Sequence, residues 1–485
     1  MAALYVSQRA RSQYPDGAMS GTDDILCLNG IDASTGGYLV PPLSLDEAAA
    51  IVRGDARPDK STSSWLKRVW QTLTQPHLGL PHDIEPANVA QAGWAIVFHE
   101  HESDAVKTAL EPLIAHRRTR VPADRCHVLT YQTGQTRASW LAANGTAAGS
   151  VLPTRVPYYL LLVGGPERFP FAFCHHLDVE YAVGCLHFDT PEEYARYAAS
   201  VVDYETSAAV PNAKRMVMFG TRHPGDRSTM LSSDHLVTPL AAQPPAGFAV
   251  DLLIGDRARK EALLEAIARQ ELPPALVFTA SHGMGWKAPD ARQATDQGAL
   301  ICQDWEPLTI LGPGDYLSAA DLPSDGHVHG SIVFHFACYG AGTPLHDRFL
   351  HEKGRPPSVI AERPFIAALP KALLAHPRGG ALAVIGHVER AWGCSIATPK
   401  AGPQLLPFRN ALERLALGQP VGHAMKDFNE RYAALSTTLA GMLEEMEFGA
   451  AVDPEQLVRA WVERNDAEGY LVIGDPAVAI RADRG

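Results

Sequence analysis

The chain has 485 residues, room for about two to four ordinary domains or one large composite, and its 46% apolar and 20% charged content excludes global disorder. A formal charge of −12, from 42 Lys and Arg against 54 Asp and Glu, leaves no electrostatic footprint for a phosphate backbone, so nucleic acid is not an expected partner. The longest apolar runs, such as Tyr158–Val163 and Ala381–Ile385, fall far short of the ~20 residues a bilayer span needs, so no membrane partner is expected either.

Residues 1–80 are irregular in pattern, with modest helical stretches at Leu45–Arg53 and Ser61–Leu73, and are read as an N-terminal extension or cap. From Trp94 onward, short apolar runs alternate with helical periodicity. Trp94–Phe98 is the first expected strand and Ala105–Arg117 the helix after it; Tyr158–Val163 and Tyr181–Gly184 follow. A helix from Thr190 to Tyr204 is well signalled, because Thr190 can cap, Pro191 suits the first turn, and Glu192 and Glu193 suit the positive end of the helix dipole. The pattern breaks at Pro211-Asn212 and then resumes. Further strands are expected at Met216–Phe219, Val250–Ile254, Ala275–Thr279, Ser331–Phe336 and Ala381–Ile385, with helices at Lys260–Gln270 and Phe365–Ala375. Residues 403–466 read as mainly helical, and Tyr470–Ile473 as a last strand stopped by Gly474-Asp475-Pro476. Near-continuous apolar strands alternating with helices imply an α/β fold, a doubly wound, mostly parallel sheet with helices on both faces. The expected organisation is a cap (1–80), a smaller N-terminal α/β subdomain (81–208) and a larger α/β domain (209–485).

Seven cysteines, at positions 27, 126, 174, 185, 302, 338 and 394, are an odd count with no C-x-x-C pair. Neither a disulfide framework nor a zinc ribbon fits, and the N-terminus lacks the regions of a signal peptide, so a reduced, cytoplasmic protein is expected. Two expected strands end in reactive groups, one in Ser281-His282-Gly283 and the other in Ala337-Cys338-Tyr339-Gly340. Ligands of open parallel sheets bind beyond the carboxyl ends of strands. A thiol needs a neighbouring base to become a nucleophile at neutral pH, and an imidazole can then protonate the leaving amine. A glycine beside the base lets a carbonyl oxygen approach backbone N–H donors. The separation, 338 − 282 = 56 residues, matches the caspase pattern of a His about 50 residues before Ala-Cys-x-Gly. Cys174-His175-His176-x-Asp178 has metal-ligand residue types, but four packed within five positions, with no second pair, do not make a convergent site, so no metal or other cofactor is expected.

Five segments in order, Leu186–Glu205, Phe278–Trp286, Ile332–Gly340, Ala381–Trp392 and Val472–Pro476, resemble the gingipain-like, caspase-fold cysteine peptidases, a group related to the CHAT proteases. The likeness runs over roughly residues 155–481. It implies peptide-bond hydrolysis through an acyl-thioester, with Cys338 as nucleophile, His282 as base and acid, and the amides of Gly283 and Cys338 as oxyanion hole. It implies a peptide laid as an added strand beside the segment after Ile385, with Trp392 at the pocket rim and Asp234 at the base of a pocket for Arg or Lys. The acid that orients the histidine is left open between His223, at the matching place, and Asp226, with Asp178 and Glu180 as remoter substitutes. A protein or peptide substrate is expected, with an activating partner; intracellular relatives in defence systems extend the resemblance to a pore-forming, gasdermin-like substrate. The alternative is a pseudo-peptidase that holds a peptide without cutting it.

Overall fold

The structure, a computed structural model, describes residues 25–26, 31–38, 43–44, 80–81, 83–349, 356–391, 393, 396–398 and 402–481. The helical stretches expected at Leu45–Arg53 and Ser61–Leu73 therefore lie outside the described residues.

A ten-stranded sheet organises the chain. Its strands are β1 (Trp94–His99), β2 (Cys126–Tyr131), β3 (Tyr159–Val163), β4 (Ala182–Leu186), β5 (Ala213–Gly220), β6 (Ala249–Ile254), β7 (Pro274–Ala280), β8 (Ile332–Phe336), β9 (Ala383–His387) and β10 (Tyr470–Gly474). The order across the sheet is 6-5-7-8-9-10-4-3-1-2. β1, β3, β4 and β7 to β10 are buried at every position, the continuous apolar signature of strands covered on both faces. The edge strand β2 instead mixes exposed and half-buried positions with one buried residue, Tyr131, and its weaker apolar pattern hid it from the sequence reading.

Every pairing in this sheet is parallel except β9 with β10. The sheet is thus two parallel halves running in opposite directions, joined along that seam. The carboxyl ends of β5 to β9 open on one edge, and those of β1 to β4 on the other. The helices among the described residues include α1 (Asp104–Arg120), α2 (Phe171–Asp178), α3 (Pro191–Thr206), α4 (Arg227–Ser232), α5 (Lys260–Ala268), α6 (Ala368–Leu374), α7 (Leu406–Ala416), α8 (Lys426–Glu447) and α9 (Pro454–Glu468). α3 starts as its residues dictate: the Thr190 hydroxyl accepts from the Glu193 amide and the Glu193 carboxylate accepts from the Thr190 amide, a complete capping box. The helix expected over Phe365–Ala375 is shorter, because Phe365–Ile366 pairs instead with Gly342–Thr343. No helix among the described residues is long and apolar enough to cross a membrane.

A small second sheet lies beside the edge where β7 ends. Ile31–Asp32 pairs in parallel with Met284–Gly285, just past His282, and in antiparallel with Gly37–Tyr38. Its apolar support is a separate cluster that includes Ile31, Met284, Trp286, Ile301 and Trp305.

Candidate active site

The carboxyl ends of β7 and β8 are neighbours, with Ala280 opposite Phe336, so the chain leaves both strands side by side. His282 and Gly283 follow β7, and Cys338 follows β8. Gly283 touches the Cys338 backbone so closely that a Cβ on it would lie 1.8 Å from the Cys338 carbonyl oxygen. That contact requires glycine, and the fold thereby brings together the two segments singled out in the sequence.

The His282 ring is fully buried, and its Nε2 lies 2.7 Å from Oδ2 of Asp226. Asp226 ends the loop after β5 and caps α4, accepting from the Ser228 amide. Its Oδ2 also accepts from the Thr229 hydroxyl at 2.8 Å, and its Oδ1 from the Tyr38 hydroxyl at 2.7 Å. Burial alone would push this carboxyl up, but the facing His282 charge, the His282 hydrogen bond and the two hydroxyl donors outweigh it and hold Asp226 well below the usual carboxylate range. In the neutral ring a carboxylate on Nε2 fixes the tautomer: Nε2 carries the proton and Nδ1 carries the lone pair. Nδ1 is buried and has no hydrogen-bond partner among the described residues, so it is the nitrogen left to take a proton.

Cys338 is completely buried. Its Sγ accepts from the Ala391 amide at 3.3 Å and lies 3.8 Å from the Ala391 carbonyl oxygen. Burial pushes the thiol up to about 12, against the smaller opposing pull of the Ala391 and Gly283 amides and of Arg390. The resting sulfur is therefore a protonated thiol under a backbone cover. That cover is anchored: the Tyr339 amide donates to the Glu389 carbonyl at 2.6 Å, and the buried Arg390 guanidinium binds the carboxylates of Asp347 and Glu389. Both Tyr339 and Glu389 hold positive φ, 59° and 72°, which non-glycine residues rarely adopt.

Of the two candidates for the orienting acid, Asp226 bonds His282 and His223 does not. His223 packs edge-on against Trp305 at 5.1 Å, and burial and the nearby His282 push it down to about 4. Asp178 caps the Val183 amide and Glu180 pairs with Arg137, and neither bonds His282. The Asp234 side chain is half-exposed, and both of its oxygens are bound by Arg222, at 2.9 and 3.0 Å. Arg222, in the loop after β5, thus pairs the charge of Asp234, which lies in the helical stretch Ser233–Val237 beyond α4. Trp392 lies outside the described residues. The Cys174 to Asp178 run forms α2, where Cys174 Sγ meets Cys185 Sγ at 3.4 Å, and His175 stacks on Phe171. Among the described residues no group of His, Cys, Asp and Glu is arranged to hold a metal ion.

Two contributors were not read from the sequence. Thr229 had a local signal, since Asp226-x-x-Thr229 before a helix is a capping pattern. Tyr38 had none, because it reaches Asp226 across 188 positions.

No protein-family model matches this chain, and no curated protein matches it. Among solved structures the chain is similar to one described as a protease, with 10% identity, a TM-score of 0.44, and coverage of 80% of this chain and 78% of that one. It is also similar to the complex of Porphyromonas gingivalis RgpB pro- and mature domains, with 12% identity, a TM-score of 0.40 and 80% coverage of each chain. A third similarity is to the Saccharomyces cerevisiae separase–securin complex, with 10% identity and a TM-score of 0.31, over 66% of this chain but 16% of that one. These likenesses concern fold alone.

Proposed function

We propose that the protein is a cysteine endopeptidase in which Cys338 is the nucleophile, His282 the base and acid, and Asp226 the residue that positions His282. The observation that carries this reading is the buried 2.7 Å bond from His282 to Asp226, which leaves Nδ1 unpartnered beside a Gly283 that abuts Cys338. The Cys338 proton passes to His282 Nδ1 as sulfur attacks the scissile carbonyl carbon. The oxyanion is met by the Gly283 and Cys338 amides, and the imidazolium then protonates the leaving amine. Water, deprotonated by the same imidazole, hydrolyses the thioester and returns the thiol.

The Ala391 amide on Sγ has to move before a substrate carbonyl can approach. An activating partner, or the substrate itself, supplies that displacement in this proposal. The substrate is a protein segment. A gasdermin-like partner, and preference for Arg or Lys, come from the resemblance alone, and any such preference needs an acid other than the paired Asp234. A reducing, cytoplasmic setting fits the free thiols of Cys126, Cys174, Cys185, Cys302 and Cys338. The covered, protonated Cys338 favours a second reading, a groove that binds peptide without cutting it.

A peptide library and electrophilic probes ending in Arg or Asp, with candidate activators present, separate the two. Wild type is expected to cut peptide and to be labelled on Cys338, and Cys338→Ala and His282→Ala to do neither. Asp226→Asn is expected to lose on the order of 10²–10⁴ in kcat/KM with folding intact. Peptide binding by wild type without cleavage or labelling would establish the second reading instead.

A further inference from the structure

The segment 31–38 is docked on the catalytic edge by several independent contacts. The Ile31 amide donates to the Gly283 carbonyl and the Ala33 amide to the Gly285 carbonyl, so the segment extends the strand that leaves His282. Asp32 is buried, pairs with Lys287 at 2.9 Å, and accepts from both the amide and the hydroxyl of Ser34. Gly36 holds φ at 69° with its Cα against the Thr309 backbone, where a Cβ would lie 2.1 Å from the carbonyl oxygen. Ile31 and Ala33 are fully buried in the cluster around Trp286 and Trp305, and Tyr38 packs against that cluster. At the end of this seat, the Tyr38 hydroxyl donates to Asp226 at 2.7 Å and its ring stands edge-on to the His282 ring, 5.7 Å between centroids.

We infer that Tyr38 is a positioning residue of the active site, holding the Asp226–His282 pair from the N-terminal segment, which is thereby an integral part of the site. Its consequence for catalysis rests on the proposed peptidase function; its hold on the pair does not. Asp226 has four donors, the Tyr38 and Thr229 hydroxyls, the Ser228 amide and His282 Nε2. With Tyr38 and Thr229 in place the carboxylate cannot swing away from the ring, and each shares its negative charge. The ionisable groups facing the pair among the described residues include Tyr38 itself, from the N-terminal segment, His223, from the loop between β5 and α4, and, in the proposed mechanism, Cys338 after β8. Deleting the Tyr38 hydroxyl concentrates charge on Asp226. That stabilises the imidazolium, so the His282 titration moves up, and it frees the carboxylate to rotate, so proton transfer slows.

The test is Tyr38→Phe in the full chain, which keeps the ring packing, with Thr229→Val as a second variant that removes the other hydroxyl. The His282 titration is followed by NMR of histidine-labelled protein, and kcat, KM and the pH profile are measured on a cleaved library peptide. Tyr38→Phe is expected to move the titration and the acid limb of the profile upward. It is also expected to lower kcat about tenfold, the effect of one hydrogen bond to a charged group, with KM unchanged. An unmoved titration in Tyr38→Phe overturns the inference, whether or not peptide is cut. A moved titration in a protein that neither cuts peptide nor labels on Cys338 leaves the inference standing and overturns the peptidase reading instead.

Discussion

Cys338 shows how burial and backbone contacts set the chemistry of one side chain. An ordinary thiol near 9.0 is pushed up to about 12 by complete burial, although two amides and the Arg390 charge pull the other way. Because the folded value is raised, the neutral thiol's contribution to stability is full below about pH 9, and is lost as pH rises from there toward 12. Alkylation of Cys338 by a small iodoacetamide probe in the unactivated protein should therefore be slow at pH 7 and climb steeply above pH 9, tracked by mass spectrometry of the labelled peptide. Fast labelling at pH 7 without an activator would contradict the covered resting state. His282, Gly283 and Cys338 were legible because strand-end reactive residues beside glycine announce themselves locally. The choice of Asp226 over His223 was not legible. Both sit on one loop, three positions apart, and only the α4 cap turns one of them toward the ring.

At the scale of elements, local chemistry decided most boundaries. α3 is the clearest case, since Thr190, Pro191 and Glu193 state its start in four consecutive residues, and the structure uses all three. Thr190→Ala should cost about 1 kcal/mol of stability, the usual worth of an N-cap side chain. Chemical denaturation checks it as a lower midpoint at unchanged slope. The misread elements have the opposite character. β2 is an edge strand without a continuous apolar run, and Phe365–Ile366 was absorbed into a helix because a two-residue pairing with Gly342–Thr343 leaves no periodic trace. The N-terminal strand at Ile31–Asp32 is equally short, and its partner lies some 250 residues away in sequence, beyond any local pattern.

The whole molecule turns on the seam between β9 and β10, which alternation of strands and helices could not foretell. Apolar periodicity reports that a strand is buried and not which way it runs. Helices α7 to α9 fill the connection between β9 and β10, but antiparallel neighbours need no crossover, so the length of that connection does not announce the reversal. The Gly474-Asp475-Pro476 turn, read only as a motif, is where this seam is locked. Asp475 is fully buried and accepts from Trp94 Nε1 of β1 at 3.0 Å and from the Arg117 guanidinium of α1 at 2.8 and 2.9 Å. Arg117 in turn holds Glu205 of α3 at 2.7 and 2.8 Å, and the Asp475 amide donates to the Tyr197 hydroxyl, which donates to the Leu382 carbonyl just before β9. Removing one member of such a buried set strands its partners, so Asp475→Ala should lose about 3–5 kcal/mol, whereas replacing a charge on the exposed face should not. The same network makes the fold acid-sensitive. Burial would raise Glu205, but the Arg117 charge and the His116 bond hold it down to about 2 from an ordinary 4.5. Its stabilisation is therefore present above about pH 4.5 and lost as pH falls toward 2. Unfolding midpoints measured from pH 7 to pH 2 should drop across that lower window in the wild type and drop less in Glu205→Gln; equal slopes in the two would show that the acid transition arises elsewhere in the molecule.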